Sequence, residues 1–265
     1  SSVLDQVKNE KGDTIDWDNM HLDYFKDTYL RLSNNISITP RIGVKAGIVY
    51  HRRTPVDSRA FLSTGKPTVY NSFAPFIEIK LSPWISHGPV ITVDYEQGVK
   101  SVFKSSSQYT RMEFDASYIH HIKCMRSFSM RLGGGFYMSK GDNQYFLDYT
   151  NFREEKIPGG WNDDWSGNFE LLNSNWYNAS EYYVRANMTY ESPLLLLSWF
   201  PLIGKIVETE RIYVSALSVK HLSPYTEYGY GFTNRVFSMG IFASMHNTKF
   251  AGMGVKFGFE LFSQW

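Results

Sequence analysis

Cysteine is almost missing from this chain. Cys124 stands alone, so no intrachain disulfide can form and a small disulfide-stapled fold is excluded. Long apolar runs are missing too. A membrane helix needs roughly 18–20 apolar residues, and the longest apolar stretch, 193–204, is shorter and is interrupted by Pro193 and Pro201. Charge of one sign is not in excess: the net charge is +1 over 265 residues, which gives no electrostatic case for nucleic acid as a partner. Helical periodicity is essentially absent. The one exception is 193–206, which has room for a short helix at a membrane surface. No secretory leader stands at Ser1, so the reading expects either its removal or a start inside a longer protein.

Aromatic residues are abundant, with 18 Tyr and 19 Phe beside 20 Gly. They recur in period-two alternation, the signature of strands with two unlike faces. Met112, Phe114, Ala116 and Tyr118 alternate with Arg111, Glu113, Asp115 and Ser117. Phe128, Met130, Leu132, Gly134 and Phe136 alternate with Ser129, Arg131, Gly133 and Gly135. About eleven such segments are expected: 25–36, 40–51, 71–82, 89–98, 109–120, 126–137, 181–192, 210–220, 224–232, 235–246 and 251–262. They run to about 9–12 residues, longer than soluble strands of about 5–6 and matched to a tilted bilayer crossing of about 9–11.

Two architectures fit this pattern. In a soluble sandwich or barrel the apolar face lies inside. In a transmembrane barrel it meets lipid. Strand length favours the membrane, as do the small residues on the polar face. So do the aromatics near strand ends, at Tyr50, Tyr70, Trp84, Tyr109, Tyr137 and Trp265, where interfacial girdles belong. The connections also alternate in length. Those at 51–71, 99–108 and 138–180 are long, and those at 37–39, 83–88, 121–125 and 232–235 are short. The long 192–209 connection falls on the short side and is expected to lie in the interface. The fold expected is therefore an all-β, antiparallel transmembrane barrel over 25–265, preceded by a strand piece or linker at 1–24. The lipid bilayer is its first partner and a Gram-negative outer membrane its location.

The stretches 175–190 and 199–204, and the end from Arg235-Val-Phe-Ser-Met-Gly240 to Lys256-Phe-Gly-Phe-Glu260, resemble the C-terminal barrel of a Bacteroidota outer-membrane family of unassigned function. Its members often carry an N-terminal carboxypeptidase-like regulatory domain, and it is related to BamA-type barrels that insert or export proteins. The resemblance runs from about residue 25 to the end. It implies sixteen strands, so the eleven here would form the C-terminal part and about five would precede Ser1. It also implies that 138–180 is a long external loop followed by the strand from Tyr182 to Pro193. BamA-type loops carry an Arg-Gly-aromatic motif. The corresponding stretch here is Phe152-Arg-Glu-Glu-Lys-Ile-Pro-Gly-Gly160, without that motif.

The polar face carries both signs: Arg31, Arg41, Lys45, Glu78, Lys80, Asp94, Glu96, Arg111, Glu113, Asp115, Arg131, Arg185, Glu191, Lys256 and Glu260. Mixed signs on neighbouring strands can pair, which fits a lumen closed by ion pairs better than a selective channel with single-sign rings. The bland alternative is that these charges only stabilise the barrel. The connection 138–180 holds twelve aromatic and leucine residues, too many for a disordered loop. It is expected to fold into the mouth as a plug or to dock a partner, with Arg153, Trp161, Trp165 and Trp176 as candidates. No metal or cofactor is expected. His120 and His121 are adjacent in a strand and point to opposite faces, which disfavours a shared ion with Cys124. Asp163-Asp164 and Glu154-Glu155 are read as solvated acids rather than calcium ligands. No Ser, His and acid are spaced as a hydrolase needs, so no enzyme is expected. Three roles stay open. The first is a BamA-like factor for assembly or export of outer-membrane and surface proteins, within a complex. The second is a structural barrel anchoring a periplasmic domain or larger complex. The third is a transport pore.

Overall fold

In the computed structural model the described residues are 25–55, 68–84, 88–106, 108–139, 165–172, 182–193, 195–200, 207–219, 223–234 and 236–259. They form one sheet of eleven antiparallel strands in sequence order. These are β1 (Phe25–Thr39), β2 (Ile42–Pro55), β3 (Tyr70–Leu81), β4 (Val90–Gln97), β5 (Thr110–Ile122), β6 (Arg126–Ser139), β7 (Tyr182–Ser192), β8 (Thr209–Val219), β9 (Tyr225–Thr233), β10 (Phe237–His246) and β11 (Lys249–Phe259). All eleven expected strands are present, with ends displaced by a few residues. No helix among the described residues is long and apolar enough to cross a membrane.

Short turns set the registers. After β1, the Thr39 hydroxyl accepts the N–H groups of Arg41 and Ile42 at 3.3 and 3.1 Å. That closes the Pro40-Arg41 turn and pairs Thr39 with Ile42. Arg41 was expected at the start of a strand; it is instead an exposed turn residue. Cys124 and Met125 turn β5 into β6 with φ of 64° and 56°. Cys124, His120 and His121 are all exposed there.

By contact density the chain divides into two units. The first holds β1–β4, the beginning of β5 and the end of β6. Its register places Arg31 opposite Val49, Gly47 opposite Phe76, Lys45 opposite Glu78, and Glu78 opposite Asp94. These residues therefore share one face. On it His51, Arg53, Ser72, Asp94, Glu96, Arg111 and Glu113 are buried. The other face exposes Leu30, Leu32, Ile36, Ile48 and Ile77. Tyr70 and Tyr109, expected in an outward girdle, are buried on the polar side. Tyr70 is opposite Arg53, and the Tyr109 hydroxyl donates to Glu96. A phenol can pack its ring while its hydroxyl meets a carboxylate, so position near a strand end did not decide its face.

The second unit holds the rest of β5 and β6, and β7–β11. Its polar face is continuous in register: Asn187 with Ser215, Ser215 with Glu227, Glu227 with Ser244, and Ser244 with Gly252. Asn187, Ser215, Glu227 and Ser244 are buried. On the reverse side Val184, Met188, Val214, Ile241, Val255 and Phe257 are exposed. In both units, then, the charged face is buried and the hydrocarbon face is exposed, the reverse of a water-soluble core.

Candidate functional site

The polar face of the second unit is not bare. Residues 165–172, from the long 138–180 connection, lie against it. Small residues on β9, β10 and β11 make room. At Gly240 a Cβ would stand 2.7 Å from Trp165 Cζ3 and 2.8 Å from Phe242, so only a bare backbone lets the indole settle there. The Trp165 ring packs edge-on against Phe242 and Tyr213, with centroids 5.7 and 6.4 Å apart. Further along, Phe169 packs on Tyr225 at 5.9 Å.

The backbone of this segment is bonded by strand side chains. Glu227 accepts the N–H groups of Glu170 and Leu171 at 2.8 and 2.9 Å, and its carboxylate also takes the Tyr225 hydroxyl at 2.8 Å. The Asn168 carbonyl accepts from Asn187 Nδ2 and Ser215 Oγ at 3.1 and 3.3 Å. The Gly167 carbonyl accepts from Arg131 Nη1 at 3.3 Å. Lys256 lies 3.7 Å from the Glu170 carboxylate. Gly167, Asn168, Glu170 and Leu171 are thus tied to β6, β7, β8, β9 and β11. Loop backbone left buried and unpaired would be costly, so these ties are what lets a connection lie on the sheet at all. Burial, with the Glu227 charge, holds the Glu170 carboxyl above its ordinary range, against the opposing pull of Lys256.

Beside the segment runs a charge network. Asp115 accepts Arg131 Nε at 3.0 Å and Arg185 Nη2 at 2.6 Å. Arg185 reaches from β7 across β6 to β5, and it crosses at Gly133, where a Cβ would stand 2.8 Å from its Nε. Gly133 thus opens the path for this guanidinium. A cavity of about 380 Å³ remains nearby, lined in part by Ser117, Ser129, Arg131, Gly167 and Asn187.

Of the candidates named from sequence, Asp115, Arg131, Arg185 and Lys256 converge here with Trp165. Glu191 pairs with Arg211 at 2.5 Å toward the end of β7. In the first unit Arg111 pairs with buried Glu96 at 2.7 Å, Lys45 lies 4.0 Å from Glu78, and Arg31 stands 4.1 Å from the Phe76 ring centroid. Asp94 and Glu113 are buried on the same polar side, and Lys80 lies on it in register but exposed. Arg153, Trp161, Trp176 and Glu260 lie outside the described residues. The sequence reading missed Glu227, Asn187, Ser215, Tyr213 and Phe242. Alternation alone could have put Glu227 and Asn187 on the polar face. Nothing in it marks which polar residues grip a distant loop.

Comparison with protein families gives one match, a family of unknown function (DUF5686) C-terminal domain, over residues 78–232. A comparison with curated proteins finds no match. Among solved structures, the crystal structure of an outer membrane channel from Pseudomonas putida F1 aligns at 6% identity and a TM-score of 0.32, covering 87% of this chain and 80% of that one.

Proposed function

We propose, for a chain that belongs to the DUF5686 family and matches its C-terminal domain over more than half its length, that it is an outer-membrane β-barrel closed by its own loop, serving other proteins of that membrane. The observation that carries this reading is the inverted sheet. Arg111, Glu113 and Glu227 are 5%, 4% and 2% exposed, while Val255 and Phe257 are 45% and 62% exposed. Water would penalise that distribution and a bilayer favours it. The docked 165–172 segment supports a plugged interior over an open pore, and the paired charges beside it are of mixed sign rather than a ring of one sign.

Within that frame the role proposed is BamA-like, assisting the assembly or export of outer-membrane or surface proteins as part of a complex. Depleting the protein in its own cell and quantifying the outer-membrane proteome tests it. Loss of a defined set of barrels or surface proteins is expected, and an unchanged proteome overturns the role. The second reading is a structural barrel subunit, without transport or catalysis. The tie of one loop to five strands favours it, because such fastening resists movement. Stable recovery of a partner complex, together with an unchanged proteome on depletion, would favour this reading over the first. Steady ion conductance of the purified protein in planar bilayers would count against both.

A further inference from the structure

Glu210 is on the unexpected side of its strand. It pairs with Ser192 of β7 and Phe232 of β9, so it shares the face of β8 that carries Ile212 and Val214. Those two are each 40% exposed, whereas Glu210 has no exposed surface. What covers it is the connection leaving β7. The Leu195 N–H donates to Glu210 Oε1 at 3.1 Å, and the N–H groups of Leu196 and Leu197 donate to Oε2 at 2.7 and 2.9 Å. The Tyr230 hydroxyl, from the same face of β9, donates to Oε2 as well. The carboxylate is saturated, and the short 3-10 turn Leu197–Trp199 is held against the apolar side of the sheet. Outward from it point Leu196, Trp199 and Phe200, which are 62%, 83% and 58% exposed.

Against water this arrangement has no logic. A surface carboxylate there would need no cage, and three large apolar side chains would not be turned into solvent. Against a bilayer both features follow. A bare carboxylate on the lipid side is strongly disfavoured unless its oxygens are all paired. The segment also sits where β7 ends and β8 begins, at the level of strand ends, where indole and phenyl groups settle among headgroups. We infer that 195–200 is a membrane-interface anchor, fastened by Glu210 to the lipid-facing side of β8 and β9, with Leu196, Trp199 and Phe200 as its lipid contacts. The inference rests on reading the sheet as membrane-spanning.

The test uses the full chain in vesicles of phosphatidylethanolamine and phosphatidylglycerol, with Cys124→Ser as background. Nitroxide labels go on Leu196→Cys, Trp199→Cys and, as a strand reference, Val214→Cys. Collision with oxygen is compared with collision with a water-soluble nickel chelate. The expected result is deep immersion at 214 and shallower immersion at 196 and 199. Water-like collisions at 214 would overturn the spanning reading itself. Immersion at 214 with water-like collisions at 196 and 199 would overturn the anchor alone. Exclusion of both colliders at 196 and 199 would mean protein covers the segment, and would also overturn it. Adding Glu210→Gln is expected to raise label motion at 199 and shift its depth toward water, with 214 unmoved. Tyr230→Phe, a milder change, is expected to shift it the same way by less. No shift in either variant would overturn the role of Glu210.

Discussion

The Trp165 indole stands perpendicular to the Phe242 ring, with centroids 5.7 Å and planes 90° apart. Gly240 lies under both rings, so the seat for a loop aromatic is built by leaving a side chain out. Gly240→Val should fill that seat. Overpacking of this kind costs about 1–3 kcal/mol, and here it would fall on the docked segment. The expected outcome is faster protease cleavage within the 138–180 connection while the sheet keeps its resistance to heat in detergent. Unchanged cleavage would mean that Trp165 is not seated there in solution.

Glu227 should be the strongest single fastener of the segment. Hydrogen bonds to a charged group contribute about 1.5–3 kcal/mol each, and it holds two backbone N–H groups. Glu227→Ala is expected to release the segment, read as hydrogen exchange at Glu170 and Leu171 rising far more than at the strands. Glu227→Gln keeps one acceptor oxygen and should fall between. Equal exchange in all three proteins would refute the assignment.

Docking should also depend on acidity. The Glu170 carboxyl is raised from an ordinary 4.5 by burial and by Glu227. A group whose docked pKa is raised favours the docked state in its protonated form. Its contribution is complete below about 4.5 and is lost as pH rises through the higher docked value. Protection of 165–172 from exchange, corrected for intrinsic rates, should therefore increase as pH is lowered through that window. Glu170→Gln should flatten the dependence, and a slope that survives this change would locate the titration elsewhere.

The strands and their two faces were legible because alternation is a local property. Arg111 and Phe114 differ in face by an odd step, and no tertiary contact is needed to say so. Legibility failed where one position serves two environments. Alternation sets Tyr213 in step with Arg211 and Ser215, but nothing in the sequence marks it or Phe242 as the seat of a loop aromatic, which follows only from the glycines of β9 and β10 and from Trp165 beside them. Glu210 fails the other way. Its charge argues for the polar side, and only the folded connection 195–197 explains a carboxylate among apolar neighbours. Arg41 was lost to the turn because β1 runs on to Thr39, past its expected end at 36, and the Thr39 hydroxyl then closes the turn by bonding its own chain two and three residues on.

Asp115 holds two guanidinium groups, and Gly133 is what lets the second arrive. Two substitutions should therefore damage the same interaction by different routes. Asp115→Asn leaves Arg131 and Arg185 facing each other without a counter-charge. Breaking a buried pair in this way costs about 3–5 kcal/mol, and partial exposure here places the expected loss toward the lower end. Gly133→Ala keeps every charge but sets a methyl group 2.8 Å from Arg185 Nε, so the guanidinium must withdraw. If the crossing is the reason for the glycine, Gly133→Ala should cost little in the Asp115→Asn background, because the contact it disrupts is already gone. The coupling between the two is expected at about 0.5–3 kcal/mol, the range for residues sharing one network. Guanidinium unfolding of the four proteins in vesicles measures it. Additive losses would mean that Gly133 serves the backbone of β6 and not the passage of Arg185.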